Sequence, residues 1–305
     1  MNKRKLGTTG LEVSPLGLGT WVFGGWPWAE SKEQDFEKAI EKAIELGINL
    51  IDTAPIYGFG KAETIVGRTL KRLGLREKII LATKQGLSWD SNKRIGHDCS
   101  KKKVFEEIDA SLKRLQTDRI DIYQVHWHDP AIQIGETMEA FLKLKDQGKI
   151  RVIGVSNYNV VQMEEALRYA PVQTLQPPYN YLQRDIEKEI LPFCMEHKIG
   201  TLTYSTLCKG MLTGKFSREN RPQDLVRKEK FDSVFEEKNY LHALDEVEKL
   251  KEEAAEEEMT VGQWVIRWTT QQPGVACALI GARNAMQVEE NFSVIARSPK
   301  GDAAI

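Results

Sequence analysis

A carboxylate, a phenol, an ammonium and an imidazole follow short apolar segments in the first half of the chain. Asp52 ends one such segment, and Tyr57 stands five residues further on. Lys84 and His126 each come directly after a later apolar segment. A charged side chain at the end of a core segment is costly unless it is paired or takes part in chemistry. We therefore treat Asp52, Tyr57, Lys84 and His126 as candidate catalytic residues.

These four side chains together suit the reduction of a carbonyl group. A tyrosine has an ordinary pKa near 10, which is too high for an efficient acid at neutral pH. An ammonium within about 4–6 Å favours the phenolate, so we expect Lys84 to lower the pKa of Tyr57. Asp52 would neutralise and orient Lys84, and a neutral His126 would hydrogen-bond the substrate oxygen. Because no side chain donates hydride, such a site implies a nicotinamide cofactor.

Taken singly, each of these residues has an ordinary alternative explanation. Asp52 could cap a turn, Lys84 could be a surface lysine, and Tyr57 could simply pack in the core. A lone histidine such as His126 is more often a core residue hydrogen-bonded to a carbonyl. An acid, a cation and an imidazole follow three consecutive apolar segments, and this pattern favours a shared site.

Composition excludes several classes of partner. The 305 residues include 43 basic and 44 acidic side chains, for a formal net charge of −1. No global field therefore draws the chain to nucleic acid or to an anionic membrane. No apolar run approaches the roughly 18 residues that span a bilayer, and no secretory signal is recognisable. Four widely spaced cysteines predict a reducing, cytoplasmic compartment, with neither disulfides nor a metal site. They are Cys99, Cys194, Cys208 and Cys277.

Eight short apolar segments alternate with amphipathic helical patterns along the chain. They cover residues 16–18, 49–52, 78–83, 120–125, 150–155, 172–175, 201–203 and 275–280. Intervening helices require the strands to be parallel, and eight such units close naturally into a (β/α)₈ barrel. Barrel enzymes place their chemistry at the carboxyl ends of the strands, which is where the four candidate residues fall.

The alternative fold is a doubly wound open sheet. It is disfavoured because no strand-to-helix turn carries G-x-G-x-x-G, and the stretch 17–19 is followed by Trp21 and not by a helix start.

Two segments are additions to a bare barrel. Residues 5–14 predict an N-terminal β-hairpin that could plug one mouth, and 205–274 form a long insertion between strands seven and eight. We expect residues 1–305 to form a single domain.

Side chains after the later strands could hold a nicotinamide dinucleotide. Tyr204 offers a flat face for stacking on an aromatic ring, and Arg283 suits a 2′-phosphate. A glycine-containing loop after strand seven could hold a pyrophosphate through its backbone N–H groups. The partners expected for the carboxamide are Ser156, Asn157 and Gln176, and those expected in the loop are Ser205, Leu207 and Gly210.

At these residues the sequence resembles the aldo-keto reductase family, over essentially the whole chain. The matching stretches are GLGTWVFGG at 17–25, NLIDTAPIYG at 49–58, LATK at 81–84, DIYQVHW at 121–127, IGVSNY at 153–158, LQPPYNYLQR at 175–184, YSTLCKGMLTGK at 204–215 and LIGARNAMQVEENF at 279–292. The resemblance implies a (β/α)₈ barrel, an extended NADP(H), no metal, and hydride transfer from the A face of nicotinamide to aldehydes or ketones. It is nearest to the branch of bacterial general-stress reductases and potassium-channel β-subunits.

The resemblance also implies the site residues. The catalytic set is Asp52, Tyr57, Lys84 and His126. The cofactor-binding set is Gly19, Thr20, Trp21, Asp52, Ser156, Asn157, Gln176, Tyr204, Ser205, Thr206, Leu207, Gly210, Lys215, Gly281, Arg283, Gln287, Glu290 and Asn291. The substrate-binding set is Trp21, Trp26, Tyr57, His126 and Trp127, with Trp28 as a further wall.

Three features depart from the family pattern, one of which is Thr206 in place of the usual proline. Many members have Lys-Ser near the start of the last helix, where this chain has residues 281–283, Gly-Ala-Arg. Arg283 keeps NADP(H) the expected cofactor, with NAD(H) the less favoured alternative. Members with a long C-terminal tail use it to close the substrate pocket; only residues 298–305 follow the last helix here, which predicts a more open site.

The leading hypothesis is an NADP(H)-dependent reductase of aldehydes and ketones, with Tyr57 as the general acid. An alternative is an NADP(H)-binding sensor subunit that turns over slowly; the complete set of four residues argues against it. A phosphate-binding lyase or isomerase would leave Tyr204 and the Tyr57–Lys84 pair unexplained. The expected partner is a small-molecule carbonyl substrate, with no nucleic acid and no membrane, and a monomer is favoured.

Overall fold

Eight parallel strands form a closed barrel surrounded by helices. The structure, a computed structural model, describes residues 2–25, 28, 32–227 and 232–296. The barrel strands, in chain order, are β3 (Leu16–Gly19), β4 (Leu50–Asp52), β5 (Ile80–Gln85), β8 (Ile120–Val125), β9 (Ile150–Ser156), β10 (Thr174–Gln176), β11 (Gly200–Thr203) and β12 (Cys277–Gly281). The last strand pairs with the first, Leu279 opposite Gly17, which closes the barrel. The predicted (β/α)₈ barrel is confirmed, and the open sheet is excluded.

Helices connect successive strands on the outside of the barrel. They are α1 (Glu33–Glu45), α2 (Lys61–Leu73), α3 (Lys101–Leu115), α4 (Ile134–Asp146), α5 (Val160–Leu167), α6 (Ile190–Glu196), α7 (Glu237–Glu256), α8 (Val261–Gln271) and α9 (Ala285–Ala296). α1, for example, buries Phe36, Ile40 and Ala43, at helical spacing, in the main core. Among the described residues, no helix is long and apolar enough to cross a membrane.

The predicted N-terminal hairpin closes the amino-terminal end of the barrel. Its strands, β1 (Arg4–Lys5) and β2 (Glu12–Val13), are antiparallel. Leu6 is fully buried in the cluster of side chains inside the barrel. A β-carbon at Gly7 would lie 2.4 Å from the backbone nitrogen of Gly200, at the start of β11. Only a glycine permits this approach, which seats the hairpin against the start of β11.

A second hairpin, which the sequence reading missed, stands at the carboxyl end of the barrel. Strands β6 (Leu87–Trp89) and β7 (Ile95–His97) are antiparallel and lie between β5 and α3.

The long insertion is also present. It follows β11, begins with 3₁₀ turns at Cys208–Thr213, and contains α7 and α8, which bury a small core of their own around Met211, Phe235 and Tyr240.

Candidate active site

Lys84 lies at the centre of the candidate site. Its Nζ donates hydrogen bonds to Asp52 Oδ1 at 2.6 Å and to Thr53 O at 2.9 Å, and lies 3.3 Å from Tyr57 OH. The Lys84 side chain is completely buried, and the parallel register of β4 and β5 brings it beside Asp52. Asp52 therefore compensates the buried ammonium of Lys84. Among the described residues, no other carboxylate lies within hydrogen-bonding distance of that ammonium.

Tyr57 reaches this ammonium from the turn that follows β4. Its N–H donates to Ala54 O at 3.1 Å, and its ring lies over the Lys84 ammonium with 5.1 Å to the centroid. His126 follows β8, and its ring meets the Tyr57 ring edge-on, with centroids 5.9 Å apart. The structure thus brings together all four residues singled out in the sequence.

The expected lowering of the Tyr57 pKa is wrong for the chain by itself. Burial raises the pKa of Tyr57 well above 10, and the Asp52 carboxylate adds to that rise. Asp52 lies 2.6 Å from the Lys84 ammonium and offsets part of the effect of that charge on Tyr57. Burial also lowers the pKa of Lys84, a change that Asp52 opposes. The phenol consequently stays protonated at neutral pH, as a proton donor must.

His126 is neutral, as predicted. Enclosure of its ring lowers its pKa well below 6.5, and the nearby Lys84 charge lowers it further. Its backbone is held on both sides, because its N–H donates to Gln85 O at 2.8 Å and its carbonyl accepts from Asn157 Nδ2 at 3.0 Å. A neutral imidazole can donate one hydrogen bond to a ligand oxygen without bringing a second positive charge into the site.

A cavity of about 840 Å³ opens over these residues at the carboxyl end of the barrel. All residues of the predicted cofactor-binding set line it. So do four of the predicted substrate-binding residues: Trp21, Tyr57, His126 and Trp127. The fifth, Trp26, lies outside the described residues. The set named from sequence therefore shares one continuous surface.

The amide and hydroxyl groups expected to hold a carboxamide form a network with the catalytic residues. Gln176 Nε2 donates to Asp52 Oδ2 at 2.8 Å, and Ser156 Oγ donates to Gln176 O at 2.8 Å. Tyr204 OH donates to Asn157 Oδ1 at 2.8 Å. This bond tethers the Tyr204 ring at its tip, so its orientation is set before any ligand binds.

The loop after β11 is strained. Ser205, Cys208 and Lys209 all have positive φ, at 65°, 46° and 53°, and Gly210 follows at 92°. The expectation that the N–H of Gly210 is available to a pyrophosphate is wrong here, because it donates to Leu207 O at 2.7 Å. The loop lies beside a cation, because a β-carbon at Gly210 would lie 3.2 Å from Lys215 Nζ.

Three cations gather at one end of the cavity. Lys215 and Arg283 were expected there, whereas Arg227 was missed because it belongs to a uniformly polar, charged stretch. Burial lowers the pKa of Lys215, and the charges of Arg227 and Arg283 lower it further; burial and Arg227 act in the same way on Arg283. Asp224 pairs with Arg227. This part of the site holds more positive than negative charge, which suits a phosphorylated ligand.

Trp28 joins this cationic end to the loop after β3. The guanidinium carbons of Arg227 and Arg283 lie 4.9 and 5.6 Å from its ring centroid, and the Trp21 ring meets it edge-on at 5.1 Å. Its indole Nε1 is buried and has no acceptor among the described residues. A ligand with acceptor groups fits that donor, and the tethered Tyr204 ring and the cations fit the ring and phosphates of a nicotinamide dinucleotide.

Comparisons with known proteins agree with this geometry. The model of the Aldo/keto reductase family matches residues 15–303. Aldo-keto reductase YhdN of Bacillus subtilis is 44% identical, covering 95% of this chain and 87% of that protein. The NADH-specific methylglyoxal reductase of Escherichia coli is 35% identical, with 97% and 94% covered. The solved glycerol dehydrogenase AKR11B4 of Gluconobacter oxydans superimposes with a TM-score of 0.86 at 37% identity, covering 99% of this chain and 91% of that one.

The chain belongs to the aldo/keto reductase family of oxidoreductases. The branch indicated by the sequence is confirmed as well. An Arabidopsis thaliana protein named as a probable voltage-gated potassium channel subunit beta is 32% identical over 97% of this chain and 91% of its own length.

Proposed function

We propose that this chain reduces aldehydes and ketones to alcohols with NADP(H), and that Tyr57 is the general acid. The observation that carries the proposal is the position of Tyr57 OH, 3.3 Å from the buried Lys84 ammonium and on the wall of the cavity. When bound, the nicotinamide supplies the hydride that the carbonyl carbon receives. The carbonyl oxygen takes its proton from Tyr57, and the product is the alcohol.

The chain's own residues act on the proton and on the developing charge. As negative charge grows on the substrate oxygen, the Tyr57 proton moves to it, and the Lys84 ammonium stabilises the phenolate left behind. Asp52 keeps Lys84 in position through its 2.6 Å bond. His126, held neutral by its surroundings, donates to the same oxygen and fixes its distance from Tyr57.

The cationic end supports a preference for NADP(H). Lys215, Arg227 and Arg283 outnumber the two carboxylates described beside them: Asp224, which pairs with Arg227, and Glu290, which lines the cavity. An additional phosphate lowers the mutual repulsion of the three cations, and that gain is absent with NAD(H). The E. coli relative is named as NADH-specific, so the proposed preference of this chain for NADP(H) rests on these cations and is tested with both cofactors.

The second candidate is an NADP(H)-binding sensor subunit with slow catalytic turnover, because one relative is named as a channel subunit. The two functions differ in turnover. Oxidation of NADPH and NADH is followed at 340 nm with a panel of aldehydes and ketones, and cofactor affinity is measured by fluorescence. The reductase is expected to oxidise NADPH faster than NADH with at least one carbonyl compound. Tight cofactor binding with negligible oxidation throughout would favour the sensor.

Substitution of Tyr57 tests the assigned role. Tyr57→Phe removes the proton donor and keeps the ring, so kcat should fall about 10²–10⁴-fold while cofactor affinity is retained. Tyr169→Phe is the matched control, since that side chain is 45% exposed and lies outside the cavity. Full turnover by Tyr57→Phe would rule out Tyr57 as the acid.

A further inference from the structure

The second hairpin places apolar side chains on one face, and part of that face lines the cavity. In its register, Leu87 stands opposite His97 and Trp89 opposite Ile95, so these four side chains share a face, and Ser88 and Gly96 share the other. Leu87 and Ile95 line the cavity. The hairpin continues the strand that carries Lys84, so it stands directly beside the proton-donating end of the cavity.

This hairpin is fixed in place. Gly86, with φ at 104°, turns the chain out of β5, and a β-carbon there would lie 2.9 Å from Cys99 Sγ and 3.4 Å from Trp127 O. At the tip, Asp90 Oδ1 accepts from the N–H of Arg94 at 2.9 Å. Lys93 folds over the Phe59 ring, 5.3 Å from its centroid. The tip charges are therefore engaged on the hairpin or beside it and do not face the cavity.

The hairpin completes an apolar wall around the reacting end. The wall consists of Trp21, Ile56, Leu87, Ile95 and Trp127. Ile95 is 45% exposed and Trp127 43% exposed, so this wall presents apolar surface to water. Lys209, which also lines the cavity, lies over the Trp21 ring and is paired with Asp232 at 2.8 Å. None of the five residues of this wall carries a charge that could pair with a negatively charged substrate body.

We propose that the β6–β7 hairpin, through Ile95 and Leu87, selects carbonyl compounds with an uncharged apolar or aromatic body. The inference rests on the proposed reductase activity and adds its substrate class. An apolar body covers Ile95 and Trp127 and removes their surface from water. A carboxylate at the same place loses hydration without gaining a countercharge.

Two aldehydes of similar shape test the selection. 4-Methylbenzaldehyde and 4-carboxybenzaldehyde differ mainly in the charge at the far end of the ring. The expected ratio of their kcat/KM values is about tenfold or more in favour of the methyl compound, and the difference should lie mostly in KM. Ile95→Lys brings a cation to the wall and should reduce that ratio about fivefold. Ser88→Lys adds the same charge to the opposite face of the hairpin and should leave the ratio within twofold.

The outcomes separate this inference from the reductase assignment. If both aldehydes are reduced but Ile95→Lys leaves the ratio unchanged, or Ser88→Lys changes it equally, the role of the hairpin is refuted and the reductase assignment remains. If neither compound nor propanal is reduced with either nicotinamide cofactor, the reductase assignment fails and this inference fails with it.

Discussion

Gly24 packs directly against the backbone of Gly58. A β-carbon built on Gly24 would lie 2.3 Å from the Gly58 nitrogen, and one built on Gly58 would lie 2.3 Å from the Gly24 carbonyl oxygen. Gly58 is the residue after Tyr57 and has φ at 65°. The loop after β3 and the turn that carries the phenol are therefore held in register by contact between two glycines.

Gly24→Ala should impair catalysis without altering any reacting group. The added methyl must push the Gly58 backbone away and displace Tyr57 OH from Lys84; a displacement of about 1 Å can cost roughly 10²-fold in rate. We expect kcat for aldehyde reduction to fall and NADPH affinity to stay near the wild-type value. Gly96→Ala is the control, because its nearest neighbour, Ser88 Oγ, is 3.7 Å from the new carbon. Unchanged kcat in Gly24→Ala would show that the contact does not position the phenol.

The pH dependence of reduction should have an alkaline limb and be flat at neutral pH. The productive form has a protonated Tyr57, whose pKa is raised above 10, a protonated Lys84, whose pKa is lowered from 10.5, and a neutral His126. Raising the pH removes the first two protons, so activity falls on that side. Lowering the pH charges His126 only well below 6.5.

The measurement is kcat/KM for one uncharged aldehyde across the pH range, with circular dichroism at each pH to identify any loss of fold. A decline on acidification with a midpoint near 6.5, in protein that remains folded, would mean that His126 titrates at its ordinary pKa. The active form would still be the neutral imidazole, but the inference that enclosure of the ring lowers its pKa would be wrong.

The barrel could be predicted from the sequence because its signals are local. Most of the strands are short, mainly apolar runs, such as Cys277–Gly281, and eight of them separated by helical patterns permit few topologies. The candidate site followed from one rule, that strands of a barrel end at a common mouth. That rule brought Asp52 and His126 together although they are far apart in the sequence.

Other features depended on tertiary packing. The β6–β7 hairpin has a turn signal, since polar residues 90–94 separate apolar Trp89 from Ile95, yet its strands are only three residues each. Arg227 lies among many charged residues, and only the folded insertion shows that it meets Trp28. The pKa of Tyr57 was misjudged because neither its burial nor the 2.6 Å distance from Asp52 to Lys84 can be read from spacing.

Arg283→Ala should weaken NADPH binding more than NADH binding. If the guanidinium contacts the 2′-phosphate, its removal costs a charge-assisted hydrogen bond, about 10–100-fold in KM for NADPH, with a change within about twofold for NADH. Arg184→Ala is the control, because Arg184 stacks on Trp268 outside the cavity and should affect neither cofactor. Equal losses for the two cofactors in Arg283→Ala would show that Arg283 does not distinguish them.

Trp28→Leu should shorten the time for which the cofactor stays bound. The Trp28 ring lies within 5.6 Å of the guanidinium carbons of both Arg227 and Arg283 and so links the loop after β3 to the cationic end. Leucine keeps apolar bulk but removes the aromatic face, and cation–π contacts of this kind contribute about 0.5–2 kcal/mol each. The dissociation rate of NADPH, measured by stopped-flow displacement, should rise about tenfold, and Trp28→Phe should restore most of the loss. Trp264→Leu, on the outer helix α8 against Tyr181, serves as the control. A wild-type dissociation rate in Trp28→Leu would mean that the ring does not retain the cofactor.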